Sequence, residues 1–200
     1  MHRYMEKLIE QFRGHVIDLS SSSKDFIHHD WFVTYHLEVV EKIALELCEK
    51  YPEANKELVV LMVWLHDYGK IIDFANEHST TLTVGKDKLL ELGLASEFVN
   101  KAVGYIELLD KKENLDADPT PIEVQIVSSA DGAAHLIGPF FYLWWYENPS
   151  KPFQQLMKDN IYKATKDWEK KIVLPEVKQA FEKRHNFLLE QAGHIPEKFL

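Results

Sequence analysis

The sequence predicts an all-α fold, a single-domain helical bundle of about 7–9 helices, and three observations carry that prediction. Apolar residues recur at three- and four-residue spacing along most of the 200-residue chain, the pattern of helices with one buried face. Runs of alternating β-branched residues, which would mark half-buried strands, are scarce. Several periodic segments also stop at a residue that ends helices.

Taken in order, the segments are residues 3–13, 31–50, 54–68, 83–92, 96–110, 121–146, 153–172 and 176–192. The second holds "HLEVVEKIALELCEKY", with Leu37, Val40, Ile43, Ala44 and Leu47 on one face and Pro52 just beyond. The third contains "LMVWLHDYGKIIDF", the most apolar part of the chain, with Gly69 as its expected end. Gly93 closes the fourth, "DPTP" precedes the sixth, and Pro175 separates the last two. "SSSKDFIHHDW" reads as a loop, with Asp30 as the cap of the helix that follows. No internal repeat and no composition break divides the chain, so 1–200 is read as one domain. Its motif-bearing core spans about 29–146. The more charged residues 150–200 keep Phe153, Leu156, Ile161, Trp168, Phe181 and Leu188, enough to pack two helices on that core.

Composition excludes several function classes. The formal charge is −9, from 23 Lys+Arg against 32 Asp+Glu. The only arginines are Arg3, Arg13 and Arg184, and no basic run exceeds two residues. Binding to nucleic acid by counterion release wants a concentrated basic surface, so nucleic acid is not an expected partner. A small phosphorylated molecule is, because a local metal ion can override the global charge. The longest apolar runs, 58–65 and 136–146, fall short of the ~20 residues of a spanning helix, and no signal-peptide core opens the chain. A single cysteine, Cys48, excludes an intrachain disulfide and any Cys-based zinc cluster, and fits a reducing compartment. The expected location is cytoplasmic.

The chemistry concentrates in a few polar residues on apolar helices. His66 and Asp67 stand side by side at the end of the most apolar segment, where unpartnered polar groups are costly. They read as surface groups, as a buried pair or as metal ligands. His36 opens the second helix. Asp131 lies within "IEVQIVSSADGAAHLIGPFF", and His135 follows one turn later. Imidazole and carboxylate together hold borderline divalent ions, and ligands from separate helices can meet inside a bundle. Neighbouring residues on a helix point ~100° apart, so His66 and Asp67 reach one ion only where the backbone leaves regular geometry.

The order His…His-Asp…Asp, with "VWLHDYGK" in the middle, resembles the HD-domain superfamily of metal-dependent phosphohydrolases over roughly residues 29–136. "HLEVVEKIALEL" is similar to that family's first-histidine helix and "VSSADGAAHL" to its last-aspartate helix. The resemblance implies an all-α fold of the HD type with His36, His66, Asp67 and Asp131 as ligands of one divalent ion (Mn, Fe, Co, Ni, Mg or Zn). It also implies hydrolysis of a phosphate ester by metal-activated water. Val39 stands where many members have arginine. His78 matches the first histidine of a second-metal site, but Leu109 and Asp110 replace the other, leaving Glu107 or Asp110 to compensate.

On this reading Asp67 also orients the water, Lys70 neutralises a phosphate oxygen, and His78 or Glu77 binds substrate or donates the proton to the leaving group. His135 is a partner of Asp131 or a satisfied core histidine. His28 and His29 help line the entrance. The aromatic run 140–146 is core, a stacking shelf for a base or a subunit interface, which leaves a homodimer open. The alternatives are a metal-binding or sensory module without turnover and a di-iron oxygenase of the same fold.

Overall fold

The computed structural model describes residues 2–111, 120–191, 193 and 197–198. Among them every regular element is helical: α1 His2–Ser22, α2 Glu38–Lys50, α3 Lys56–Leu65, α4 Tyr68–Ile72, α5 Glu77–Thr80, α6 Lys86–Glu91, α7 Ser96–Lys111, α8 Ile122–Ala134, α9 Phe140–Glu147, α10 Phe153–Lys166 and α11 Pro175–Gln191. Three wider turns, Val33–Leu37, Thr81–Gly85 and Asp167–Lys171, lead into α2 and α6 and close α10.

The bundle is organised around α3. Leu58, Val59, Leu61, Met62, Val63, Trp64 and Leu65 are all fully buried, so this helix is apolar on every side, as a central helix must be. It packs against α1, α2, α7 and α8. At about 1.5–3 kcal/mol for each fully buried large aliphatic side chain, it is the segment least free to move. The Asn55 side chain caps its start by accepting from the Leu58 N–H at 3.0 Å. The indole N–H of Trp64 donates to Glu41 at 3.1 Å, and the Arg13 guanidinium lies 5.1 Å from that ring. Two polar side chains thus meet α3 at this indole, Glu41 at its N–H and Arg13 over its ring.

Three helices depart from the expected boundaries. The first helix runs to Ser22, taking in serines read as loop. The third ends at Leu65, and the backbone breaks at Asp67 itself (φ −113°, ψ 14°) rather than at Gly69. Gly69 lies inside α4 because α5 crosses close over it. A Cβ there would sit 2.0 Å from the Glu77 carbonyl oxygen and 2.7 Å from Thr81 Oγ1. Its N–H donates to that threonine hydroxyl at 2.9 Å. The segment 121–146 is not one helix: it stops at Ala134 and restarts at Phe140, with Gly138 at φ +62° in the bend. Asp30 caps no helix and pairs with His29 at 3.0 Å. At the far end, α11 and the turn Asp167–Lys171 pack against α8, which brings residues beyond 150 to the helix that carries Asp131.

The Gly69 contact is testable. Gly69→Ala places a methyl group into backbone that cannot yield cheaply, and overpacking of this kind costs about 1–3 kcal/mol. Urea unfolding should show a lowered midpoint at unchanged slope. An unchanged midpoint would mean that α4 and α5 do not approach this closely.

Candidate metal centre and its cavity

Four side chains from four positions in the fold converge at the end of α3. His36 comes from the turn before α2, His66 from the residue after α3, Asp67 from the break that follows, and Asp131 from α8. His36 Nε2 lies 3.2 Å from Asp67 Oδ2 and 3.7 Å from Asp131 Oδ1. His66 Nε2 lies 3.5 Å and 4.0 Å from the same two oxygens. His36, His66 and Asp131 are buried, and Asp67 nearly so. The non-helical torsions at Asp67 turn two neighbouring side chains toward one point, which a continuous helix could not do.

The protonation states suit a cation. His66 Nδ1 sits 2.7 Å from the Val63 carbonyl oxygen, which accepts its proton and leaves Nε2 as the ring nitrogen that faces the cluster. That Nε2 is buried and has no hydrogen-bond partner among the described residues, yet it faces two carboxylate oxygens. Beside two carboxylate oxygens, Nε2 needs a positive charge, which a proton or a bound metal ion supplies. Burial would push both carboxyls up. For Asp67 the charges on His66 and Lys70 and a hydrogen bond from His36 overcome it, so the group stays well below the usual carboxylate range. For Asp131, Lys171 and the surrounding imidazoles do the same. Burial also drives the His36 pKa down, favouring the neutral ring. The donor set is thus two ionised carboxylates with imidazole nitrogens, which fits a divalent transition ion.

Around this group lies a further layer that the sequence reading did not assemble. His135 stands between two carboxylates: Nδ1 is 2.8 Å from Asp167 Oδ2, and Nε2 is 3.4 Å from Asp131 Oδ1. Its ring stacks on His36, with centroids 5.1 Å apart and planes 9° from parallel. Burial and the Lys163 ammonium push its pKa down to about 3. His36, Asp131 and His135 consequently form a second trio of candidate donors that overlaps the first trio, His36, His66 and Asp67. Lys171 bonds Asp131 Oδ2 and lies 3.9 Å from Asp167 Oδ1, while Lys163 bonds Asp167 Oδ2. Lys163, Asp167 and Lys171 are spaced by four, so one helical face carries all three. That spacing was the available signal.

The cluster opens into a cavity of ≈ 550 Å³ whose wall includes His28, Lys70, Phe74, Phe140, Trp144 and Lys163. Lys70 holds Asp67 Oδ1 at 2.8 Å, so this oxygen is engaged by an ammonium as well as being a candidate to orient water. Glu77 reaches the wall, 3.9 Å from Lys70. His78 lies exposed on α5 and is not among the wall residues. Of the entrance pair, His28 lines the cavity and donates from Nδ1 to Glu147 Oε1 at 2.8 Å, while His29 stays outside with Asp30. Glu147 also accepts from the Trp31 indole at 2.6 Å. From the aromatic run, Phe140 and Trp144 face the cavity, while Tyr142 and Tyr146 are exposed. Glu107 is exposed on α7, and the Asp110 side chain lies outside the described residues.

Comparison with known proteins agrees with this architecture. The family model described as "HD domain" matches residues 33–134, just over half of the chain. The protein belongs to the HD domain family. Among curated proteins, one relative is the 3'-5' exoribonuclease YhaM of Listeria welshimeri serovar 6b, 24% identical over 115 residues. That alignment covers 56% of this chain and 36% of the relative, so the chain spans little more than a third of that protein's length. No solved structure matches the chain. The relative's name runs against the expectation that nucleic acid is not a partner. Among the described residues no helix is long and apolar enough to cross a membrane.

The donor geometry makes a direct prediction. His66→Ala and Asp131→Ala should each lower bound transition metal at least tenfold relative to the parent protein, in the range seen for disrupted metal sites, with the helical circular dichroism retained. Elemental analysis of dialysed protein reads this out. Metal content that survives both changes would place the ion elsewhere.

Proposed function

We propose that this protein is a metal-dependent phosphohydrolase that cleaves a phosphomonoester or nucleotide-like substrate. The observation that carries the reading is His66 Nε2, buried without a hydrogen-bond partner among the described residues and facing two carboxylates, one of which, Asp67, lines a substrate-sized cavity together with His36. Family membership supports it, since the resemblance of the sequence to HD-type phosphohydrolases covers these residues. His36, His66, Asp67 and Asp131 are the proposed ligands of one divalent ion, with His135 close enough to join or support the set. Bound there, such an ion supplies a Lewis acid and a lowered pKa for coordinated water.

The remaining work falls to residues of the chain. In the reaction a water oxygen forms the new bond to phosphorus, the ester P–O bond breaks, and the leaving oxygen takes up a proton. Phosphoryl transfer asks mainly for positioning and charge neutralisation. Lys70 and Lys171 each contact a proposed ligand and lie on the cavity wall, so both can meet phosphoryl oxygens while orienting Asp67 and Asp131. The His66 ring is locked by Val63 and the His135 ring by Asp167, which keeps imidazole donors from rotating away. Phe140 and Trp144 offer an apolar wall to the organic part of the substrate. The compartment that suits this reading is the cytoplasm, in keeping with a lone, half-buried thiol at Cys48.

A second reading has one observation behind it. The relative's name is that of a 3'-5' exoribonuclease, so the phosphate cleaved could belong to an RNA end. The net charge of −9 weighs against a long polyanion, and a cavity of ≈ 550 Å³ favours a small one.

Purified protein supplied with Mn, Fe, Co, Ni, Mg or Zn in turn should release phosphate from a chromogenic monoester or a nucleotide panel. Chelation should abolish release and the same ion restore it. Asp67→Ala should lower kcat at least a hundredfold, the loss expected when an essential charge-stabilising group is removed. A metal-loaded protein that releases no phosphate from any monoester, nucleotide or RNA probe would leave the non-catalytic metal-binding alternative standing.

A further inference from the structure

When an ester P–O bond breaks, the leaving oxygen departs as an alkoxide unless a proton reaches it in the transition state. The groups nearest the proposed metal site are committed elsewhere: Lys70 bonds Asp67, Lys171 bonds Asp131, and Lys163 bonds Asp167. Glu77 is half-exposed and faces Lys70, and His78 lies exposed off the wall. A firmly held proton donor stands on another part of the same cavity.

His28 and Glu147 line the cavity together with His36 and Asp67. His28 Nδ1 donates to Glu147 Oε1 at 2.8 Å, and the Trp31 indole N–H donates to the same oxygen at 2.6 Å. The other oxygen, Oε2, is buried with no hydrogen-bond partner among the described residues. Compensation for a carboxylate taken out of water therefore comes through Oε1 alone, and a positive charge on the His28 ring completes it. The two side chains are only 13% and 8% exposed, so solvent weakens this pairing little.

Aromatic neighbours fix the ring. Phe26 and Phe74 make T-shaped contacts with it at centroid distances of 5.4 and 5.7 Å, and Trp31 lies at 4.8 Å. Phe32 stacks beside it at 6.4 Å, and Phe32 in turn lies 5.4 Å from His36. One phenylalanine ring thus separates His28 from a proposed ligand. With Nδ1 engaged by Glu147, Nε2 is the nitrogen left for a substrate, and it has no hydrogen-bond partner among the described residues. The other charged groups near this wall pair among themselves: His29 with Asp30, Glu77 with Lys70, and Lys151 with Asp159.

We propose that His28 is the general acid for the leaving group and that Glu147 is its positioning residue. As the water oxygen bonds to phosphorus, the ester P–O bond breaks and its electron pair goes to the leaving oxygen. That oxygen takes the proton from Nε2 of the charged His28 ring. The neutral ring keeps its Nδ1–H on Glu147 and regains a proton from solvent, to which the attacking water has lost one. This rests on the hydrolase reading of the same site and extends it to the leaving-group side.

The test compares phenyl phosphate with 2,4-dinitrophenyl phosphate, whose leaving group departs without a proton, in the parent protein, His28→Asn and Glu147→Gln. His28→Asn should lower kcat for phenyl phosphate about a hundredfold, the usual worth of a general acid, and for the dinitrophenyl ester by less than about threefold. Glu147→Gln should shift the same ratio by about tenfold, the loss of one charge-assisted bond. A structural lesion lowers both substrates alike, and a ratio unchanged in both variants overturns the proposal while the hydrolase reading stands. A parent protein that hydrolyses no phosphate ester overturns the hydrolase reading itself, and the acid role with it. Nitrogen-15 NMR of the metal-free protein reads the dyad without turnover. The His28 ring should carry a proton on Nδ1, and a neutral ring protonated only at Nε2 contradicts the pairing.

Discussion

Two carboxylates buried inside a helical bundle, Asp67 and Asp131, are the constraint around which the rest of the site is arranged. An ionised carboxylate taken out of water needs compensation from close positive charge and hydrogen bonds. Each has it from a different part of the chain: Lys70 three residues beyond Asp67, and Lys171 forty residues beyond Asp131. The imidazoles of His36, His66 and His135 fill the space between them. Removing any of these partners leaves a buried charge exposed to low dielectric, so the same contacts that shape the site also hold α3, α4, α8 and α10 in register.

The apolar character of α3 gives this arrangement its rigidity. A helix buried on all sides cannot slide without opening cavities, so the residues that emerge at its end are delivered to a fixed place. Helix geometry then has to fail at Asp67 for both neighbours to reach the centre, and the tight crossing of α5 over Gly69 holds that break. The part of the chain that matches the family ends at residue 134. His135, Lys163, Asp167 and Lys171 lie beyond it, and so does Glu147. The four proposed ligands thus belong to the shared family segment, while much of the cavity wall that would select a substrate is built by this chain's own C-terminal helices.

Helical periodicity made the all-α class and most of the helices legible, because packing faces repeat locally. The four proposed ligands could be read because each interrupts an apolar segment, where a polar residue is expensive. The interactions made between distant segments were less accessible. The bend was legible in the pair Gly138-Pro139, since proline breaks a helix interior, and the apolar residues on both sides led to its being read through. Lys163 and Lys171 look like the solvated face of a charged helix, and only the docking of the turn Asp167–Lys171 against α8 brings them to the site. Gly69 read as a helix end, whereas its actual role, letting α5 come close, depends on a partner eight residues away. His28 was read as an entrance residue, but its anchor, Glu147, comes from 119 residues further along.

X-ray absorption spectroscopy on the metal-loaded protein tests the central claim most directly, because it reads the ion's neighbours without requiring turnover. The account predicts a first coordination shell of nitrogen and oxygen at about 2.0–2.2 Å, with the outer-shell scattering of at least two imidazole rings. His66→Gln should remove one ring's contribution. A shell of oxygen alone, with no imidazole signature, would contradict the assignment of His36 and His66 and with it the site on which the proposed chemistry depends.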